Sequence, residues 1–223
     1  MPKYDTPAAI TTVLDIPAGR IRFVASDRAD TTVEVLPANA ARGRDVKAAG
    51  ETTVTCADGT LRITAPDAGN QLLGASGSVE ITVQLPAGSH VQARAAAADL
   101  RGVGRLGDIT YDVTQGAVEL DETAAARITA LDGDIRIGRL NGPARISTAK
   151  GDLRVTEAVR GTVELRTRHG EISIGAAPGV SASLDAGTTY GRIHDNLRNE
   201  DGAGAALTIH ATTAYGDITA RSL

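Results

Sequence analysis

The stretch Gly151-Asp152-Leu153-Arg154-Val155 contains a phrase that returns along the chain: a glycine, an acidic residue, and an aliphatic residue that begins an alternating run. The six copies begin at Gly107, Gly133, Gly151, Gly170, Gly191 and Gly216. Successive copies are 18 to 26 residues apart, and the copy at Gly191 carries Arg192 in the acidic position. Repeats of about this period are typical of solenoids and other stacked arrays.

Two kinds of alternating run follow one another in each repeat. One begins at the phrase, and the other lies between phrases, as in Ala144-Arg145-Ile146-Ser147 and Val163-Glu164-Leu165-Arg166. Short alternating runs bounded by turn residues indicate strands, and no segment has the period of a helix. We therefore predict an all-β, single-domain β-solenoid similar to a parallel β-helix. A β-sandwich is the alternative, because closely spaced short strands also describe that fold.

The first part of the chain is less regular. Asp58-Gly59 lies between two alternating runs and predicts a hairpin, and Val79–Leu85 is the clearest strand of the sequence. Residues 38–50 and 66–78 are polar and predict loops, the first with a helical turn. We expect residues 1–90 to form a cap of strands and loops, and residues 91–223 to form the rungs of the solenoid, as one continuous domain.

The residue types of the phrase suggest a corner of the solenoid. Glycine allows the chain to turn with a positive φ, and an adjacent Asp can bond to nearby backbone. The aliphatic residue then starts an inward column. We expect structural turns at Gly107, Gly133, Gly151, Gly170, Gly191 and Gly216.

These copies also carry a resemblance. Gly133-Asp134-Ile135, Gly151-Asp152-Leu153, Gly170-Glu171-Ile172 and the ending Thr213-Ala214-Tyr215-Gly216-Asp217-Ile218-Thr219 resemble a bacterial family of β-strand repeat proteins, common in actinobacteria, known as putative adhesins. The resemblance runs from about residue 10 to the end. It implies a β-solenoid or β-helix fold, and it brings neither catalytic residues nor a cofactor.

Composition excludes several classes of function. The chain has 223 residues, a net charge of -4 and only 2% aromatic residues, so no basic surface for nucleic acid is expected. The N-terminus lacks the apolar region of a signal peptide, and no apolar run is long enough to span a membrane. We expect a cytoplasmic protein. The lone Cys56 is expected to be a small strand residue.

Candidate sites are few. The repeated acids Asp108, Asp134, Asp152, Glu171 and Asp217 could line one corner. Oxygen ligands can hold Ca²⁺, but one acid per rung makes a weak metal candidate, and we expect solvated or arginine-paired turns. The string Gly102–Gly107 matches a dinucleotide fingerprint, but a strand-like run follows it where that motif needs a helix. No catalytic, cofactor-binding or metal site is predicted.

The sequence thus favours a non-catalytic scaffold or an adhesin-like module for binding or self-association. The strand at Ile218–Leu223 ends the sequence with nothing after it, so we expect self-association through this C-terminal edge. Two alternatives remain. One is a polysaccharide-processing β-helix enzyme with paired carboxylates. The other is a regulatory module that docks a protein through residues 38–50 or 66–78.

Overall fold

Strands dominate the computed structural model of the chain, which describes residues 2–66 and 77–223. The predicted all-β, β-solenoid fold is confirmed. The chain divides into two compact units, Met1–Gly116 (unit 1) and Ala117–Leu223 (unit 2). The expected division into residues 1–90 and 91–223 stays a prediction.

Unit 1 contains seven strands and one helix among its described residues. The strands are β1 (Lys3–Asp5), β2 (Thr11–Ser26), β3 (Asp30–Pro37), β4 (Thr53–Ala57), β5 (Thr60–Thr64), β6 (Val79–Pro86) and β7 (His90–Gln115). The helix is α1 (Gly43–Glu51).

Unit 1 mixes parallel and antiparallel pairing around β2. One side of β2 pairs in parallel with β7, and the other side pairs in parallel with β5 and then with β6. The outer pairs β3–β6, β1–β3 and β4–β5 are antiparallel. The predicted hairpin joins β4 to β5, and its turn residues Asp58 and Gly59 have φ of 50° and 71°, as a tight hairpin requires.

The segment predicted as a loop at 38–50 contains most of helix α1. The helix lies against β3 and β6, and its buried Asp45 accepts a hydrogen bond from the backbone N–H of Ser78 at 3.1 Å. A helix of nine residues has too few turns to show a clear period in the sequence. Most of the second predicted loop, 66–78, lies outside the described residues.

Unit 2 is built from ten strands. They are β8 (Val118–Asp132), β9 (Ile135–Leu140), β10 (Ala144–Ser147), β11 (Leu153–Ala158), β12 (Gly161–Arg166), β13 (Ile172–Ala176), β14 (Ala182–Tyr190), β15 (Ile193–Asn196), β16 (Leu207–Tyr215) and β17 (Ile218–Ser222). A single 3₁₀ turn, Gly202–Gly204, is described between β15 and β16.

Every strand pair described in unit 2 is parallel, and the pairs form two stacks. The first stack runs β8, β9, β11, β13, β17, β15. The second runs β8, β10, β12, β16, β14. The long β8 contributes its first half to one stack and its second half to the other, and this arrangement is the two-sided rung of a solenoid.

Aliphatic side chains fill the interior in register. In the first stack, Val118, Ile135, Leu153, Ile172 and Ile218 lie one above the next, and each is at most 1% exposed. Parallel neighbours are about 4.8 Å apart, so each rung covers the apolar surface of the previous one. Burial of such columns is the main favourable contribution to folding.

The order of the last rungs in space differs from their order in the sequence. After β13 the chain forms β14 and β15. It then returns, so that β16 lies between β12 and β14 and β17 lies between β13 and β15. β17 therefore pairs with β13 on one side and β15 on the other. The expectation that Ile218–Leu223 leaves an uncovered edge is wrong, because β15 covers it.

Candidate functional site: the glycine corner and the uncovered edge

The repeated phrase forms a corner in unit 2 where five glycines stack on one another. A Cβ added to Gly151 would lie 2.2 Å from the carbonyl oxygen of Gly133, and one added to Gly170 would lie 2.0 Å from that of Gly151. A Cβ added to Gly216 would lie 2.0 Å from the carbonyl oxygen of Gly170, and one added to Gly191 would lie 2.0 Å from that of Gly216. The φ angles of Gly133, Gly151, Gly170 and Gly216 lie between 135° and 156°. Close approach and positive φ together require glycine at this corner.

Gly107 belongs to unit 1 and meets a similar constraint. A Cβ there would lie 2.4 Å from the carbonyl oxygen of Gly88. The string Gly102–Gly107 lies inside strand β7, and the strand continues to Gln115, so the helix that a dinucleotide fingerprint needs does not follow it. The backbone N–H of the adjacent Asp108 donates a hydrogen bond to His90 Nδ1 at 3.0 Å.

The acids of unit 2 at this corner bond to the neighbouring rung. Asp134 accepts a hydrogen bond from the backbone N–H of Asp152 at 3.0 Å, and Asp152 accepts one from Glu171 at 2.8 Å. Asp217 accepts the N–H of Arg192 at 2.8 Å. Each of these carboxylates satisfies an outward N–H that the ladder leaves free, which explains why a short acid follows the glycine.

The second carboxylate oxygen of Asp134 accepts a hydrogen bond from Arg136 at 2.9 Å, as expected for an arginine-paired turn. Across residues 2–66 and 77–223, no three or more His, Cys, Asp and Glu side chains are grouped to hold a metal ion. Asp134, Asp152 and Asp217 thus act as backbone acceptors in this geometry.

A row of threonines also supports the corner, and sequence reasoning missed it. Thr167, Thr213 and Thr188 each stand three residues before a repeated glycine and donate their hydroxyl to the glycine carbonyl of a neighbouring rung, at 3.0 to 3.1 Å. Thr148 occupies the same position and donates to the carbonyl of Lys150. The recurring spacing Thr-x-x-Gly was the signal that could have revealed this row.

The residues directly before the glycines form an exposed ladder. In spatial order they are Asp132, Lys150, His169, Tyr215 and Tyr190. Asp132 and Lys150 form an ion pair at 3.8 Å. The rings of His169 and Tyr215, and those of Tyr215 and Tyr190, stack nearly parallel with centroids 4.9 Å apart. The ladder ends at Tyr190, which is 63% exposed.

The outer face of the second stack carries a row of titratable side chains. Arg145, Glu164, His210 and Asp185 lie side by side in register. Arg145 hydrogen-bonds Glu164 at 2.8 Å and, with Arg166 and His210 nearby, lowers the pKa of Glu164. His210 Nδ1 lies 3.2 Å from an Asp185 oxygen. Asp185 is the last member of this row, next to the open side of β14.

Burial shifts the pKa of two further titratable groups in unit 1. Cys56 lines a cleft of about 520 Å³ between Lys3–Ile10 and the β4–β5 turn, and burial raises the pKa of its thiol. Tyr111 is fully buried, its hydroxyl donates to the Ala98 carbonyl at 2.7 Å, and burial raises its pKa. Burial therefore disfavours the ionised form of both groups.

The terminal rung of unit 2 is the uncovered one. Among the described residues, β14 pairs only with β16, and β15 pairs only with β17. All four residues of β15 are exposed, and Ile193 is 44% exposed although it continues the column of Ile218. Asp195 stands where the column below it holds the buried Ala220. This rung ends the stack with an apolar rim and one acid.

Comparison with known families gives the family of this chain. The Toastrack DUF4097 family model matches residues 13–222. The chain belongs to this family. The predicted family of β-strand repeat proteins is thereby confirmed.

A solved structure from Bacteroides fragilis supports the fold at low sequence identity. A putative adhesin from Bacteroides fragilis NCTC 9343 is 14% identical to the Toastrack chain, with a TM-score of 0.61; the match covers 98% of this chain and 95% of that one. A putative cell adhesion protein from Clostridium sporogenes ATCC 15579 is 12% identical, with a TM-score of 0.39, over 100% and 98% of the two chains. Comparison with curated proteins gives no match. No described helix could cross a membrane.

Proposed function

We propose that this Toastrack chain is a non-catalytic β-solenoid scaffold that binds and self-associates through the uncovered edge of unit 2. The observation that carries this proposal is the terminal rung, in which β14 and β15 each have one paired side in the described part of the chain. A strand edge presents a row of unpaired N–H and C=O groups, which is a ready template for another strand.

The side chains of the terminal rung support a binding role. Tyr190 and Ile193 are 63% and 44% exposed, and Leu184 is half-buried above the fully buried Ile209. A covering strand would remove this apolar surface from water, at about 25 cal/mol per Å². Exposed apolar rims beside open strand edges are characteristic of interaction surfaces.

The absence of a catalytic role is supported by the contacts of the acids. Glycan hydrolysis needs two carboxyl groups that face each other across a substrate. Asp134, Asp152 and Asp217 instead stack along one corner and accept backbone N–H groups. The name of the similar structure from Bacteroides fragilis, a putative adhesin, also favours binding over catalysis.

Sedimentation velocity of the full chain over a wide concentration range tests the proposal. We expect concentration-dependent association that Ile193→Lys abolishes, because a lysine on an edge strand disfavours strand pairing. Val46→Lys on helix α1 is the matched control, since Val46 is 47% exposed and lies in unit 1. A strict monomer at every concentration, or equal loss in both variants, would overturn the proposal.

A further inference from the structure

The turn after β9 contains a chemically labile dipeptide. Asn141-Gly142 directly follows Leu140, the last residue of β9, and it is the one Asn-Gly step in the sequence. The backbone nitrogen of the residue after an asparagine can attack the side-chain amide carbon, and glycine hinders that attack least because it has no Cβ. The surroundings of Asn141 therefore decide whether this reaction occurs in the folded chain.

The reaction is an intramolecular cyclisation followed by hydrolysis. The Gly142 nitrogen forms a bond to Cγ of Asn141 and gives up its proton. The Cγ–Nδ2 bond breaks, and the amide nitrogen leaves with that proton as ammonia. Water then adds to one carbonyl carbon of the succinimide ring and opens it, which leaves aspartate or isoaspartate at position 141. The overall change is hydrolysis of the side-chain amide, so neither an oxidant nor a reductant is needed.

Charged neighbours hold both ends of the Asn141 side chain. Its Nδ2 donates a hydrogen bond to Oε1 of Glu122 at 2.8 Å, and its Oδ1 accepts one from Nε of Arg139 at 3.1 Å. Arg139 lies in register between Glu122 and Glu157, and it also donates a hydrogen bond to Glu157. Hydrogen bonds with one ionised partner are roughly twice as strong as neutral ones. The amide is thus fixed in one orientation.

The backbone on both sides of this amide is held as well. The N–H of Asn141 donates to the Thr123 carbonyl at 3.0 Å, and its carbonyl accepts a hydrogen bond from Nε of Arg160 at 3.2 Å. Gly142 is buried, and a Cβ there would lie 2.7 Å from the carbonyl oxygen of Ala124. Ring closure fixes ψ of Asn141, because the ring contains its Cα–C bond. The contacts on the two sides of that bond resist rotation about it.

The products do not fit the contacts of the asparagine. An aspartate at position 141 replaces the N–H donor to Glu122 with a second carboxylate, and like charges at this distance repel each other. Isoaspartate also adds a methylene to the backbone, beside Gly142 and its close contact with Ala124. A chain that reacts while this turn is open therefore cannot re-form the turn with the same contacts.

We infer that Asn141 is a deamidation site that the folded turn keeps unreactive, and that Glu122 and Arg139 are the positioning residues that hold its amide. Reaction follows local opening, so its rate reports how often the end of β9 separates from its neighbours. The modification is irreversible and marks chains in which this turn has opened. The inference does not depend on the proposed self-association, because the cyclisation takes place within one chain.

Mass spectrometry of peptides from the full chain tests this inference. The chain is incubated at mildly alkaline pH, in native buffer and in urea, and conversion at position 141 is followed with time. We expect slow conversion in native buffer and much faster conversion in urea. In native buffer, Glu122→Ala and Arg139→Lys should each raise the rate by about tenfold, because each removes one charge-assisted hydrogen bond to the amide.

Two further variants serve as controls. Glu122→Gln keeps an acceptor oxygen and should raise the rate less than Glu122→Ala. Arg136→Lys makes the same change as Arg139→Lys on the same strand, but Arg136 donates to Asp134, so the rate should stay unchanged. Far-ultraviolet circular dichroism verifies that each variant is folded in native buffer.

The outcomes decide the inference. Acceleration in Glu122→Ala and Arg139→Lys but not in Arg136→Lys supports it. Equal rates in native buffer and in urea overturn it, because the fold then gives no protection. An unchanged rate in either test variant overturns the role given to that residue. An equal rise in Arg136→Lys also overturns the inference, since general loosening of the strand would then explain the reaction.

Discussion

Two neighbouring rungs of unit 2 carry almost the same sequence and have different surroundings. Thr213-Ala214-Tyr215-Gly216-Asp217-Ile218 lies inside the stack, and Thr188-Thr189-Tyr190-Gly191-Arg192-Ile193 lies at its end. Ile218 is fully buried, whereas Ile193 is 44% exposed. The motif therefore determines the corner, and the position in the stack determines how much each copy contributes to stability.

The difference follows from the one-dimensional character of a solenoid. Each rung contacts only its neighbours, so an inner rung has two interfaces and a terminal rung has one. Matched substitutions in the two rungs separate the effect of the motif from the effect of position. Three matched comparisons and one test of the outer face follow, and each is measured on the full chain.

The largest difference is expected for the aliphatic residue. Ile218→Ala should lower the free energy of unfolding by about 2–5 kcal/mol, because it removes buried methyl groups and leaves a cavity. Ile193→Ala should cost less than about 1 kcal/mol, because its side chain is partly in solvent. Urea unfolding of both variants measures the difference. The comparison is made at a concentration where the chain is monomeric, so that no second copy covers the terminal rung. Equal losses of stability under these conditions would contradict the assignment of Ile193 to an uncovered rung.

The glycine is expected to give the next largest difference. A Cβ on either Gly216 or Gly191 would lie 2.0 Å from a backbone carbonyl oxygen. Gly216→Ala should cost about 1–3 kcal/mol, since φ is 146° and rungs on both sides prevent relief. Gly191→Ala should cost less, because the terminal rung can move toward its open side. Thermal unfolding reports the two values, and a larger loss at Gly191 would contradict this account.

Most of this corner could be predicted from the sequence. The repeated glycine, acid and aliphatic residue indicated an all-β solenoid, a turn and an inward column. The sequence predicted that the acid bonds to nearby backbone, but it did not predict the actual donor. The carboxylate accepts an N–H from the next rung, 18 or 19 residues away. Such contacts follow from the register of the rungs, and no local pattern states that register.

The order of the rungs could not be predicted from the repeats. The copies at Gly191 and Gly216 are so similar that nothing in the phrase shows which one lies outside. One signal was present: Asp195 occupies the position that Ile137, Val155 and Ile174 hold in other rungs. An acid at an inward position marks a strand that no further rung covers. Sequence order predicted that the last strand, β17, forms the uncovered edge, whereas β14 and β15 form it.

The threonine row gives a third and smaller comparison. Thr213 is buried and donates to the carbonyl of Gly170, while the half-buried Thr188 donates to that of Gly216. Thr213→Val should cost about 1 kcal/mol, because it keeps the shape but removes the donor from a buried carbonyl. Thr188→Val should cost less, since water can reach this end of the stack. Chemical denaturation measures both, and Thr213→Ser serves as a control that keeps the hydroxyl.

The smallest effect is expected at the charged outer face, where Glu164 lies inside the row that ends at Asp185. Its hydrogen bond from Arg145 is the main cause that lowers the pKa of Glu164 below the ordinary 4.5. A depressed pKa means that the ionised carboxylate favours the folded state above pH 4.5, and that this contribution is lost as the pH falls through the lower folded value. Glu164→Gln should therefore flatten the acid limb of the stability profile, measured by thermal melts between neutral and acidic pH. Arg145→Gln removes the main cause of the shift and should flatten the same limb in the same direction. If only the glutamate variant changed the profile, the arginine would not be the source of the shift in the pKa of Glu164.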